Sequence, residues 1–174
     1  YGLADQVIAR AACERRQVRV ICGDNRFDPY AVARLAKSRG VRPEAVLRSV
    51  LIARAFTAYQ LSELVNRLDH STTDLVVISG PCTTFFDEDV PIVDAARLFY
   101  RMLWHTVELS SAAMTLLLVQ GEAHVSERRA YFLKDLCRAS DVVLRLGSEH
   151  TFALENRRRV ALPYLAALDR IRGD

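Results

Sequence analysis

The sequence predicts an α/β fold, a mostly parallel sheet with helices on both faces and an antiparallel edge toward the C-terminus. Strand-like apolar runs alternate with helix-period segments through the first two-thirds of the chain, whereas strands follow one another closely in the last third. Two of the runs, Val18-Arg-Val-Ile-Cys22 and Leu75-Val-Val-Ile78, are apolar almost throughout and lead to small polar residues, Asp24 and Ser79. Such runs read as buried parallel strands that deliver side chains to the carboxyl edge of a sheet, where α/β proteins hold their ligands.

The elements follow in order. Residues 3–16 form the first predicted helix: Leu3, Val7, Ile8, Ala11 and Ala12 turn inward, and Arg15 and Arg16 suit the negative end of its dipole. Strand 18–22 comes next. Asp28 then caps a helix that has Pro29 at its first position and runs to Ala36, with Gly40 as its stop. Strand 49–53 leads to Thr57, the cap of a helix with Leu61, Leu64, Val65 and Leu68 at three- and four-residue steps. Strand 75–78 precedes a long helix, 91–110, with Leu98, Phe99, Met102 and Leu103 mostly to one side. Residues 114–119 form another apolar strand. A helix over 127–138, strands over 141–146 and 151–155, and a last helix or edge segment from Pro163 to Arg172 complete the chain.

With 174 residues, 51% of them apolar, and no internal repeat or flexible linker, residues 1–174 read as one domain with a proper core. No apolar run approaches the roughly 20 residues of a membrane span. The opening Tyr1-Gly-Leu-Ala-Asp-Gln6 also lacks a signal-peptide pattern. The expectation is therefore no membrane partner and an intracellular location, cytoplasmic or nucleoid-associated, or nuclear in a eukaryote. Cys13, Cys22, Cys82 and Cys137 are widely spaced, without a C-x-x-C pair or companion histidines, so they read as reduced thiols and no metal site is expected. Lys37 and Lys134 are the only lysines, and neither ends a glycine-rich turn. Residues 1–174 therefore contain no phosphate-cradling P-loop of their own.

The segment Cys22-Gly-Asp24-Asn-Arg-Phe27-Asp-Pro29, the helix closed by Gly40, and Val50-Leu-Ile-Ala53-Arg54-Ala55-Phe56-Thr57 together resemble the core of the RecA-like strand-exchange recombinases. The likeness is to the archaeal and eukaryotic RadA branch and its paralogues, and it continues through Leu75–Ile78, Leu98–Leu103 and Leu116–Gln120. It implies a RecA-like P-loop NTPase core whose P-loop would lie just before residue 1. Tyr1 and Gly2 then stand at the edge of the P-loop helix, with Tyr1 near the magnesium-binding hydroxyl position. Asp24 falls where the family keeps a glutamate that orients the attacking water, one methylene shorter. Ser79 falls at the Walker B aspartate, where a neutral hydroxyl supplies none of the charge that magnesium prefers. Gln120 falls near the family's phosphate-sensing glutamine.

Each of these positions also has a plain structural reading: Asp24 as a turn carboxylate, Ser79 as a small residue at the sheet crest, and Gln120 as a partner for strand-end backbone groups. No cofactor is assigned, and ATP with magnesium enters only if a P-loop precedes residue 1. The two loops that line the family's DNA path correspond to the acidic 85–91 and to 121–129, so the implied DNA contacts are His124, Arg128 and Arg129, joined by the basic cluster Arg157, Arg158 and Arg159. Plain surface charge explains these arginines equally well. The resemblance further implies that Ala53 and Ala55, with Leu61, Leu64 and Val65, make a pocket for an aromatic anchor from a neighbouring subunit. The functional expectation is a recombinase-paralogue-like protein of DNA recombination or repair. It acts by association with recombinase-like subunits or with itself, its ATPase degenerate or lost. Two alternatives stay open: an active DNA-dependent ATPase completed upstream of residue 1, and a protein-binding module independent of ATP and DNA.

Overall fold

In the computed structural model, which describes residues 2–69, 75–111, 115–121, 125–146 and 152–156, four parallel strands make the central sheet. They are β1 (Val18–Cys22), β2 (Val50–Arg54), β3 (Leu75–Ser79) and β4 (Thr115–Val119), arranged β2-β1-β3-β4. The register pairs Cys22 with both Arg54 and Ser79, and Ser79 with Val119, so the carboxyl ends of all four strands are level.

Helices α1 (Gly2–Cys13), α2 (Pro29–Ser38) and the single turn α3 (Pro43–Leu47) cover one face of this sheet. Ile8, Ala9, Ala12, Val32, Ala36 and Val46 pack there against Val18, Val20, Leu75 and Val77. The alternate residues Ile21, Val76 and Ile78 are equally buried on the opposite face. That face carries α4 (Ala58–Asn66), because a Cβ at Gly23 would meet Leu61 Cδ2 at 3.0 Å. Helix α5 (Ile92–Ser111) packs beside α4, with the Ser62 hydroxyl donating to Leu98 O at 3.2 Å and His105 Nε2 2.9 Å from Leu68 O. Phe85 packs edge to face on Phe99 of α5, and Phe99 on its neighbour Tyr100, with centroids 5.3 and 5.4 Å apart.

Several local signals act as expected. The Asp28 carboxylate accepts from Tyr30 N at 2.8 Å with Pro29 in the first turn, and Thr57 Oγ1 accepts from Gln60 N at 3.2 Å. Gly40, at φ 72°, closes α2 by donating to Lys37 O while Val41 N donates to Ala36 O, the six-to-one and five-to-two pair of a Schellman cap. Helix α1 ends earlier than its basic turn suggests, since Arg15 adopts φ 63° and makes the same type of cap without glycine. The second strand lies at 50–54, one residue beyond the expected 49–53.

Both outer strands of the sheet leave a backbone edge unpaired among the described residues. On β2, Leu51 and Ile52 point to opposite faces and are 54% and 42% exposed. The all-apolar Leu116 to Val119 of β4 is only half-buried.

The chain divides into two compact units, residues 1–125 and 126–174. The second contains α6 (Tyr131–Ala139) and a two-stranded antiparallel sheet of its own, β5 (Val142–Leu146) with β6 (Phe152–Asn156), in whose register Leu144 pairs with Leu154. The expected tail element from Pro163 to Arg172 lies outside the described residues. Among the described residues no helix is long and apolar enough to cross a membrane.

Candidate functional site

The level strand ends bring Asp24, Ser79, Gly80 and Gln120 to one edge of the sheet. One residue past the strands the chains remain knitted, with Gly23 N donating to Ser79 O at 2.7 Å and Gly80 N to Val119 O at 2.8 Å. This draws the two residues singled out in the sequence into direct contact: Ser79 Oγ lies 2.8 and 3.0 Å from the two carboxylate oxygens of Asp24. Ser79 is buried and Asp24 half-buried. The Arg26 amide adds a bond of 3.1 Å to Asp24 Oδ1, closing a tight turn in which Asn25 takes φ 57°. Arg54, at the end of β2, donates to the Asn25 side chain and so ties the neighbouring strand to this turn.

Gln120 serves a different partner. Its carbonyl accepts from the Cys82 amide at 3.0 Å, and its amide nitrogen lies 3.3 Å from Thr83 Oγ1 and 3.0 Å from Gly121 O. The side chain thus fastens the 3-10 turn Thr83–Phe85 to the end of β4. Gln120→Ala leaves the buried Cys82 N–H without its acceptor, an expected loss of about 1–3 kcal/mol. Hydrogen exchange provides the check: the Cys82 amide should exchange faster, and unchanged protection there would refute the fastening role. Thr83 and Gly80 belong to the site and were not singled out from sequence, although the run Gly80-Pro-Cys-Thr-Thr84 after an apolar strand is a turn signal that marks them. The neighbouring Thr84 hydroxyl is buried with no hydrogen-bond partner.

Beneath the first turns of α1 lies a cavity of about 10 Å³, lined by Asp5, Ser79, Phe27 and Val119 among others. That is the lower limit for a single water. Burial pushes the Asp5 carboxyl above its ordinary range. It likewise raises the Cys22 thiol, which suits an inert core residue.

Chemically the edge offers one carboxylate engaged by a hydroxyl and a backbone amide. The group beside the Ser79 hydroxyl is the Asp24 carboxylate, and no histidine joins the pair among the described residues, His105 being bonded to Leu68 O between α4 and α5. Among the described residues no three His, Cys, Asp or Glu side chains gather at metal-binding distance. One carboxylate already accepting two bonds, with a neutral hydroxyl opposite, does not fit the hard, oxygen-rich shell of magnesium.

The other sequence candidates are spread apart. Gly2 is exposed at the start of α1. Ala55, Leu61 and Val65 are buried, while Ala53 and Leu64 keep partial exposure. Arg128 is exposed and Arg129 is buried. Tyr1, His124, Arg157, Arg158 and Arg159 lie outside the described residues. No protein-family model matches the chain, and no curated protein matches it either.

Proposed function

We propose that the chain is a RecA-fold, recombinase-like subunit of the paralogue type that works in DNA recombination or repair by assembling with other subunits, its nucleotide site reduced to structure. The observation that carries this reading is the contact between Ser79 and Asp24. The resemblance places a magnesium-supporting acid and a water-orienting acid at these two positions. In the chain the two positions are joined directly, the Ser79 hydroxyl lying 2.8 and 3.0 Å from the Asp24 carboxylate oxygens. The unpaired β2 edge, carrying exposed Leu51 and Ile52 and followed by exposed Phe56, supports assembly as the remaining role.

Calorimetric titration of the full-length protein with ATP and magnesium tests the reduced site. No binding heat is expected, and DNA-stimulated ATP hydrolysis would overturn the reading in favour of an active ATPase. For the edge, Leu51→Glu and Ile52→Glu place charges on exposed side chains without touching the core. They are expected to weaken association with recombinase-like subunits at least tenfold, about 1.4 kcal/mol. Unchanged association would remove β2 from the interface.

A further inference from the structure

A groove of about 540 Å³ lies between α4 and α5 in the first unit, and its lining includes Arg54, Tyr59, Glu63, Leu64, Leu98 and Arg101. Its charges are unequally satisfied. Glu63 is paired with Arg67 at 2.8 Å, and on the same face Arg97 is paired with Asp94 at 3.0 Å. Arg54 bonds only the neutral Asn25 side chain, and Arg101 has no acidic partner among the described residues. Two uncompensated guanidinium groups therefore stand over a floor that includes Leu64 and Leu98.

The complement to this groove is present on the same helix. Asp87, Glu88 and Asp89 are exposed in the turn that enters α5, and none pairs with a basic side chain among the described residues. Ile92 and Val93 follow in the first turn of α5, Val93 being 76% exposed. Val93, Arg97 and Arg101 recur at four-residue steps, so they share one exposed stripe. Val93, the apolar shoulder of the acidic turn, thus lies about 12 Å along the helix from Arg101 in the basic groove. Rigid helix separates the two, which keeps the turn out of its own groove.

From this geometry we propose that a second copy of the chain occupies the groove, in a twofold dimer in which each acidic turn docks on the partner's Arg54 and Arg101. A patch that carries both halves of a complementary pair on one stripe meets itself across a twofold axis with every contact made twice. Val93 and Tyr59 are covered in the same step. A nucleic-acid strand would use the same arginines but would leave Asp87, Glu88 and Asp89 facing phosphates and Val93 bare. This dimer rests on the assembly reading above and gives it a partner and a surface distinct from the β2 edge.

Sedimentation velocity on the full-length protein at about 50 mM and about 500 mM salt provides the test. The wild type is expected to dimerise at low salt and to dissociate at high salt. Arg54→Glu with Arg101→Glu, and separately Asp87→Lys with Glu88→Lys and Asp89→Lys, are each expected to weaken the dimer at least tenfold. An equimolar mixture of the two variants is expected to restore it, because each then offers the other a groove and a turn of opposite sign. All five positions are exposed, and circular dichroism confirms that the variants remain folded. A wild type that is monomeric at about 100 µM overturns the proposal, as do variants that dimerise normally, a mixture that fails to associate, or an oligonucleotide held by a monomer through these arginines. If Leu51→Glu abolishes self-association while the arginine variant does not, the dimer is refuted and assembly through β2 stands. ATP hydrolysis by the wild type would instead refute the reduced nucleotide site and leave the dimer untouched.

Discussion

Ser79→Asp is expected to lower the stability of the folded chain by about 3 kcal/mol at neutral pH, although it restores the residue type that the resemblance places there. The wild-type hydroxyl is buried and lies 2.8 and 3.0 Å from the two Asp24 oxygens. A second carboxylate at that distance cannot ionise together with the first, so one of the two keeps its proton into the neutral range. That group's folded pKa is raised above its unfolded value of about 4. The folded state then binds more protons than the unfolded state between those two values, and stability falls as pH rises through this window. Below about pH 4 both states are protonated and only the packing cost remains. Urea denaturation near pH 5 and pH 8 should show a lower midpoint for the variant at both, with the larger deficit at the higher pH. Ser79→Asn, similar in size and never charged, should show the packing cost alone at either pH. Equal stability of Ser79→Asp and Ser79→Asn at pH 8 would mean that the two strand ends are not held as close as 2.8 Å.

That prediction depends on strand register, which marks the limit of what could be read from the chain. Asp24 and Ser79 are visible in the sequence as the ends of two buried strands, and parallel strands send their ends to a common edge. Whether the side chains touch depends on β1 and β3 being neighbours with Cys22 level with Ser79. Pairing of that kind is decided by contacts between segments more than fifty residues apart, which no local pattern encodes. Local chemistry was legible where one or two residues settle it, as with the caps at Asp28 and Thr57 and the stop at Gly40. It was not legible at Arg15, where a non-glycine residue takes a left-handed conformation, or in α3, whose single turn is too short to show a helical period even with Pro43 at its start.

The aromatic pocket expected around Ala53 and Ala55 shows the same limit. Alternation along β2 identifies small residues on a strand but does not say which of them a neighbouring helix will cover. Ala55 is closed over in the structure, and the open surface nearby is the groove between α4 and α5. Nothing in the spacing of Arg54 and Arg101 announces that groove, because the end of β2 and the middle of α5 come to line it only through tertiary packing.

Gly80 is where the site and the fold depend on each other most. Gly80→Ala is expected to cost about 3 kcal/mol, of which roughly 1 comes from the left-handed backbone and the rest from crowding. The residue sits at φ 65°, and an added Cβ would lie 2.5 Å from Asp24 Cβ, 2.7 Å from Thr83 Oγ1 and 2.8 Å from Asp24 Cγ. Relief requires that both Asp24 and the Thr83 side chain shift, so the methyl group disturbs both of the site's linkages. For a chain of this length the loss corresponds to a fall of roughly 6–12 °C in melting temperature. Gly40→Ala is the control: its φ of 72° brings the same backbone strain, but no heavy atom lies within 4 Å of the new Cβ. It should cost only about 1 kcal/mol. The difference between the two variants measures the crowding alone. If Gly80→Ala melts with Gly40→Ala, the close approach of the β3 turn to Asp24 is disproved, and the hydroxyl–carboxylate contact that carries the functional reading is disproved with it.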